Sequence, residues 1–129
     1  MVHTLDFGGE DADVTITTSG MADAAGFAAM NDELVAHPRF RPGMSILVDH
    51  SALDVTLLRA GDVEVVARAV TEMASSIGPG AIAIVAPTKV GFGVARMSEG
   101  LAGPAELRTR TFRSRTAAVE WLRDERGGD

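Results

Sequence analysis

Residues 81–86 read Ala-Ile-Ala-Ile-Val-Ala, an unbroken apolar run that stops at Pro87. A run of strand length without alternation, closed by proline, predicts a strand buried on both faces. Strands of that kind belong to parallel sheets wrapped by helices. Two further segments read as strands. Val14-Thr15-Ile16-Thr17-Thr18 alternates β-branched residues, and Ser45-Ile46-Leu47-Val48-Asp49 is a short buried run ending in a carboxylate. Val2–Phe7 alternates loosely and is expected to pair with Val14–Thr18 as an antiparallel hairpin across the turn Gly8-Gly9-Glu10-Asp11. Leu107–Phe112 (LRTRTF) alternates long cations with Thr, the mark of an exposed or edge strand.

Between the strands the period changes from two to 3.6. Phe27, Met30 and Leu34 share a helical face over 22–36, with Asp32 and Glu33 off it, and His37-Pro38 ends that helix. Val63, Val66, Ala67, Val70, Ala74 and Ile77 form a stripe over four turns, with Asp62 as the expected N-cap and Gly78-Pro79-Gly80 as the stop. A helix over 90–101 carries Val90, Val94, Met97 and Leu101 as its stripe. Ser114 is a natural N-cap for a last helix with Ala118, Trp121 and Leu122 on one face. His50–Arg59 reads as an irregular loop, yet it carries Leu53, Val55, Leu57 and Leu58, so it must cover something. The order β-β-α-β-α-β-α-β-α predicts a mainly parallel α/β sheet with right-handed crossovers, one domain over 1–125 and a frayed tail at 126–129.

Composition narrows the classes. The 129 residues suit one domain, and nearly half are apolar. Cysteine is absent, which removes disulfides, thiolate metal sites and Cys nucleophiles. The net charge of -6 argues against nucleic-acid partners and anionic membrane surfaces. No apolar run approaches membrane-spanning length, and no basic-then-apolar leader opens the chain, so a cytoplasmic protein is expected.

The Asp-ending strand ILVDHSALD, the strand-turn-helix AIVAPTKVGFGVARMSEGLA and the ending TFRSRTAAVEWL together resemble the SpoIIAA-like family, a bacterial branch of the STAS fold named after anti-sigma-factor antagonists. The resemblance spans essentially the whole chain. It implies an α/β, SpoIIAA-like (STAS-like) single domain: a small, mostly parallel sheet with packed helices and an N-terminal β-hairpin. It also implies kinship with lipid-binding CRAL-TRIO domains, or a regulatory protein-interaction role through a partner or a homodimer. One departure stands out. Anti-sigma-factor antagonists carry a phosphorylatable Ser at the start of the helix after the Asp-ending strand, but Val55–Asp62 contains none, and Thr56 and Ser51 are the nearest hydroxyls. The phosphoserine switch is therefore not expected.

The candidate chemistry is sparse. Asp49-His50-Ser51 holds the residue types of a hydrolase triad, but neighbours along an extended chain point to opposite sides and cannot converge. Asp49 is expected instead to bond the turn that follows it. His3, His37 and His50 are far apart, and no spacing suggests a metal. Gly91-Phe92-Gly93 lacks the remaining features of a dinucleotide or phosphate loop, so its glycines are read as close packing of helix on sheet. Phe92, off its helix stripe, is expected to face a pocket shared with Leu53, Leu57 and Leu58, with Arg96 one turn on and Lys89 at the helix start holding an anionic head. Arg108 and Arg110 fit a solvated edge strand, whereas Arg113 and Arg115 flank Ser114 at the unfavourable end of a helix dipole, without a physical account. The expectation is thus a non-enzymatic module that uses no cofactor or metal. It binds a small apolar, lipid-like ligand with Asp49, Leu53, Leu57, Leu58, Lys89, Phe92 and Arg96. The alternative is the interaction domain without its phospho-switch.

Overall fold

Four parallel strands and one antiparallel edge strand build the sheet, in the order β1-β2-β3-β4-β5. The computed structural model describes residues 1–65, 68, 80–102 and 108–127, with the side chains of 97–102, 126 and 127 outside the description. The elements are β1 (Val2–Asp6), β2 (Val14–Met21), α1 (Ala24–Ala36), β3 (Ser45–Asp54), α2 (opening at residue 60, with 60–65 and 68 described), β4 (Ala81–Val85), α3 (Lys89–Ala102), β5 (Arg108–Phe112) and α4 (Arg115–Gly127). The expected hairpin is β1 on β2, with Leu5 opposite Ile16. Each later strand adds beside the previous one, so successive right-handed crossovers place α1, α2 and α3 on the same face. After β5 no strand remains, and α4 turns back across the opposite face.

Period-two alternation assigns each side chain to a face. Val14, Ile16, Ile46, Val48 and Ile82 pack with Phe27, Met30 and Leu34 of α1. Leu47, Ala81, Ala83 and Val85 pack with Ala118, Val119 and Leu122 of α4. The small Ala81 and Ala83 let α4 approach closely, and with both faces covered β4 needs no polar position.

Several local expectations hold. His37 caps α1 in an extended conformation before Pro38. Ser114 Oγ accepts from the N–H of Ala117 at 3.3 Å. Arg108 and Arg110 lie exposed on the sheet's last strand. Gly91 packs tightly: a Cβ there would lie 2.8 Å from Thr88 Oγ1 and 3.7 Å from Ala86 Cβ.

Other expectations are corrected. Residues 50–54 are strand, because β2 runs on to Met21 past a bulge and pairs Ser19, Gly20 and Met21 with Ala52, Leu53 and Asp54. α1 starts later than expected, capped by Asp23, whose Oδ1 accepts from the N–H of Gly26 at 2.5 Å. Asp62 is not the cap of α2. It lies in the first turn and accepts from the backbone N–H of Arg59 at 3.0 Å, the reach-back half of a capping box. Val90 is 57 % exposed, so α3 is rotated from its expected stripe, presenting Gly91, Val94 and Ala95 inward. Val63 of the α2 stripe is buried, while Val66, Ala67, Val70, Ala74, Ile77 and the Gly78-Pro79 stop lie outside the described residues. So do Leu107 and the side chains of Met97 and Leu101.

Candidate functional site

Three helices spanning one face of a twisted sheet leave a gap where their axes splay. Here it is a cavity of about 120 Å³. Ile16, Ile46, Val48, Ile82 and Ile84 form its floor, and Phe27, Met30 and Leu34 of α1 form one wall. Val63 of α2 and Gly91, Val94 and Ala95 of α3 form the rest, with Leu53, Val55 and Leu58 beyond the C-terminal end of β4. The surface is mostly hydrocarbon. Four polar side chains interrupt it: His50, Asn31, Thr88, whose Oγ1 accepts from the N–H of Gly91 at 3.0 Å, and Thr109 of β5.

The first is His50, the next inward position after Ile46 and Val48 on β3. Its Nδ1 lies 2.6 Å from Thr18 Oγ1, and Phe27 meets the ring edge-on at 5.7 Å and 88°. Burial removes the water an imidazolium needs, and this outweighs the opposing attraction of Asp49, so the pKa falls from 6.5 to about 4. The ring is neutral at physiological pH. The second is Asn31, one turn along α1 from Phe27 and only 7 % exposed. It occupies a stripe position that packing alone would give to Leu or Met. Among the described residues nothing hydrogen-bonds its side-chain amide.

Two of the expected residues, Leu53 and Leu58, line this cavity. Leu57 is 63 % exposed, and Lys89 and Arg96 are exposed as well. Phe92 is half-buried and outside the lining. Asp49 is on the other side of the sheet, since it alternates with His50.

There Asp49 does what the sequence suggests, bonding the residues after it. Its Oδ1 accepts from the N–H of Ser51 at 2.9 Å and from the Ser51 hydroxyl at 2.5 Å. Its Oδ2 accepts from Arg115 at 2.9 Å, and the same guanidinium reaches Asp11 Oδ2 at 3.0 Å. Burial by itself would raise the Asp49 pKa, but the Ser51 and Arg115 hydrogen bonds outweigh it and hold the carboxyl below its ordinary value. The Arg115 pKa is raised, chiefly by its hydrogen bond to Asp11. This accounts for a cation in the first turn of α4: two carboxylates offset the helix dipole. Arg113 donates to the carbonyl of Pro87 at 3.1 and 3.2 Å, joining the two turns at that end of the sheet. Asp49, His50 and Ser51 do not form a triad, because the imidazole faces away from the other two.

Sequence reasoning missed His50 and Asn31 as site residues. The signal was present: each is a polar side chain in phase with an apolar stripe. Among the described residues no group of three or more His, Cys, Asp or Glu is placed to hold a metal, and no helix is long and apolar enough to cross a membrane.

No family model matches the chain, and no curated protein matches it. Among solved structures it is similar to an uncharacterized protein of the DUF3478 family with a SpoIIAA-like fold from Shewanella loihica PV-4. The TM-score is 0.58 and the identity 14 %, over 94 % of this chain and 92 % of that one. The fold is SpoIIAA-like, as the sequence motifs implied.

Proposed function

We propose that the protein is a binding module that holds a small, largely apolar molecule between the helix-covered face of the sheet and α1, α2 and α3. The observation that carries this reading is the cavity itself, built from three helices and four strands at the heart of the fold. Well-packed interiors have few voids larger than a water molecule. At about 120 Å³ it compares with engineered cavities of roughly 150 Å³ that stay dry and take up benzene. That size suits a ligand of about six to eight heavy atoms and leaves no room for a long acyl chain within it. An anionic head held by Lys89 and Arg96 is not part of the proposal, since both side chains lie outside the lining. The proposed role needs no catalytic step.

The test is an NMR titration of the purified protein with toluene, together with native mass spectrometry of the protein as isolated. Saturable shifts confined to cavity residues such as Val48, Leu53 and Val94 are expected. They should be lost in Ala95→Leu, which fills the cavity. Absence of any saturable response to toluene, with no ligand carried through purification, overturns the reading.

A further inference from the structure

Resting on that binding reading, we propose that the cavity selects a neutral ligand bearing one hydroxyl on an apolar body, a small alcohol or phenol, with His50 Nε2 accepting a hydrogen bond from the hydroxyl and the Asn31 amide donating one to its oxygen. The first argument is the hydrogen-bond chain behind His50. Thr18 Oγ1 lies 3.3 Å from the Asp49 carbonyl oxygen and 2.6 Å from His50 Nδ1. A hydroxyl has a single hydrogen. Both contacts are hydrogen bonds at once only if Thr18 donates to the carbonyl and Nδ1–H donates to Thr18. That places the proton on Nδ1 and leaves Nε2 a lone-pair acceptor, on a ring that lines the cavity. Among the described residues nothing donates to Nε2.

Asn31 is the second argument. It is more than nine-tenths buried, lines the same cavity, and has no described partner for an amide that offers two donors and an acceptor. Phe27 touches the His50 ring, and Asn31 is four residues further along the same face of α1. Side chains at that spacing are neighbours on a helix, so the amide lies one turn along α1 from the ring that touches the imidazole, and both line the cavity. Charge supplies the third argument. None of the described lining residues is Asp, Glu, Lys or Arg, and the imidazole is neutral. An ionised ligand would be buried without a counter-charge, whereas a hydroxyl finds one acceptor and one donor.

Phenol and toluene have nearly the same shape, so comparing them isolates the hydroxyl. A purely apolar cavity favours toluene, because phenol leaves its hydrogen bonds to water behind. With His50 and Asn31 engaged, phenol binds about tenfold more tightly than toluene, as two neutral hydrogen bonds allow, and benzoate binds more weakly than phenol. The measurement is an NMR titration of the intact protein at pH 7 with all three probes, and with Asn31→Leu, in which the ratio of phenol to toluene affinity falls to about one or below. The 15N shifts of the His50 ring in the wild-type protein give an independent reading, with Nε2 showing the unprotonated signature. Equal or tighter binding of toluene by the wild-type protein overturns the proposal while leaving the binding module intact. Tightest binding of benzoate overturns the neutral-ligand assignment, and a proton on Nε2 overturns the acceptor role. Failure of both toluene and phenol to bind overturns the binding reading together with this one.

Discussion

At the scale of single residues, strand alternation separates three consecutive side chains into different environments. Asp49 and Ser51 meet on the α4 side, and His50 faces the mostly apolar cavity on the other. The consequence for His50 is measurable. Its pKa drops from 6.5 to about 4 on folding, so between those values the unfolded chain binds more protons than the folded one. Stability therefore rises with pH across that window. The contribution is fully present above about pH 6.5 and lost as pH falls toward 4. At 1.36 kcal/mol per unit its ceiling is about 3 kcal/mol. Urea unfolding of wild type and His50→Leu between pH 4.5 and 7 checks this. The wild type should lose stability on acidification by an amount the variant does not share. Parallel curves for the two proteins would show that His50 is not the group responsible.

At the scale of elements, Arg115 is the tie that local pattern could not anticipate. From the first turn of α4 it reaches β3 through Asp49 and the β1–β2 connection through Asp11. The Asp49 side chain is 12 % exposed and the Arg115 side chain 46 % exposed, so solvent screens part of the attraction. Replacing Arg115 with Met should cost about 1–2 kcal/mol, between the values for a surface ion pair and a hydrogen bond to a buried charge. Arg115→Lys should recover little, because a compact ammonium does not reproduce the fork that serves two carboxylates. Chemical denaturation of both variants at neutral pH is the check, and full recovery by Lys would mean that charge alone matters. The element boundaries follow the same logic. β3 is longer than its apolar run because β2 continues beside it. A polar stretch such as His50-Ser51 conceals that from inspection of one strand at a time.

At the scale of the whole molecule, the two faces of the sheet are packed to different degrees. Leu122, fully buried against Ala81, Ala83 and Val85, sits in a filled layer. Leu53, 9 % exposed, borders the cavity. Truncating Leu122 to Ala creates a new void and should cost about 3–5 kcal/mol, whereas Leu53→Ala enlarges an existing one and should cost about 1–3 kcal/mol, because fewer contacts are lost. Urea denaturation of the two variants measures the difference. Equal losses would mean that the helix-covered face is packed as densely as the other.

The sequence by itself determined the element order, the mainly parallel sheet, the N-terminal hairpin, the buried β4 and the helix on Ala118 and Leu122. Each of these follows from periodicity and capping, which are local. It also carried the SpoIIAA-like resemblance that the fold bears out. Of the residues it singled out, Leu53 and Leu58 line the cavity, whereas Leu57, Lys89, Phe92, Arg96 and Asp49 lie outside its lining. Which way a side chain faces depends on the rotation of a helix about its axis and on the register between strands, and both are set by packing against neighbours distant in sequence. For the same reason His50 and Asn31, one on a strand and one on a helix, come to line the same cavity only when α1 packs on the sheet.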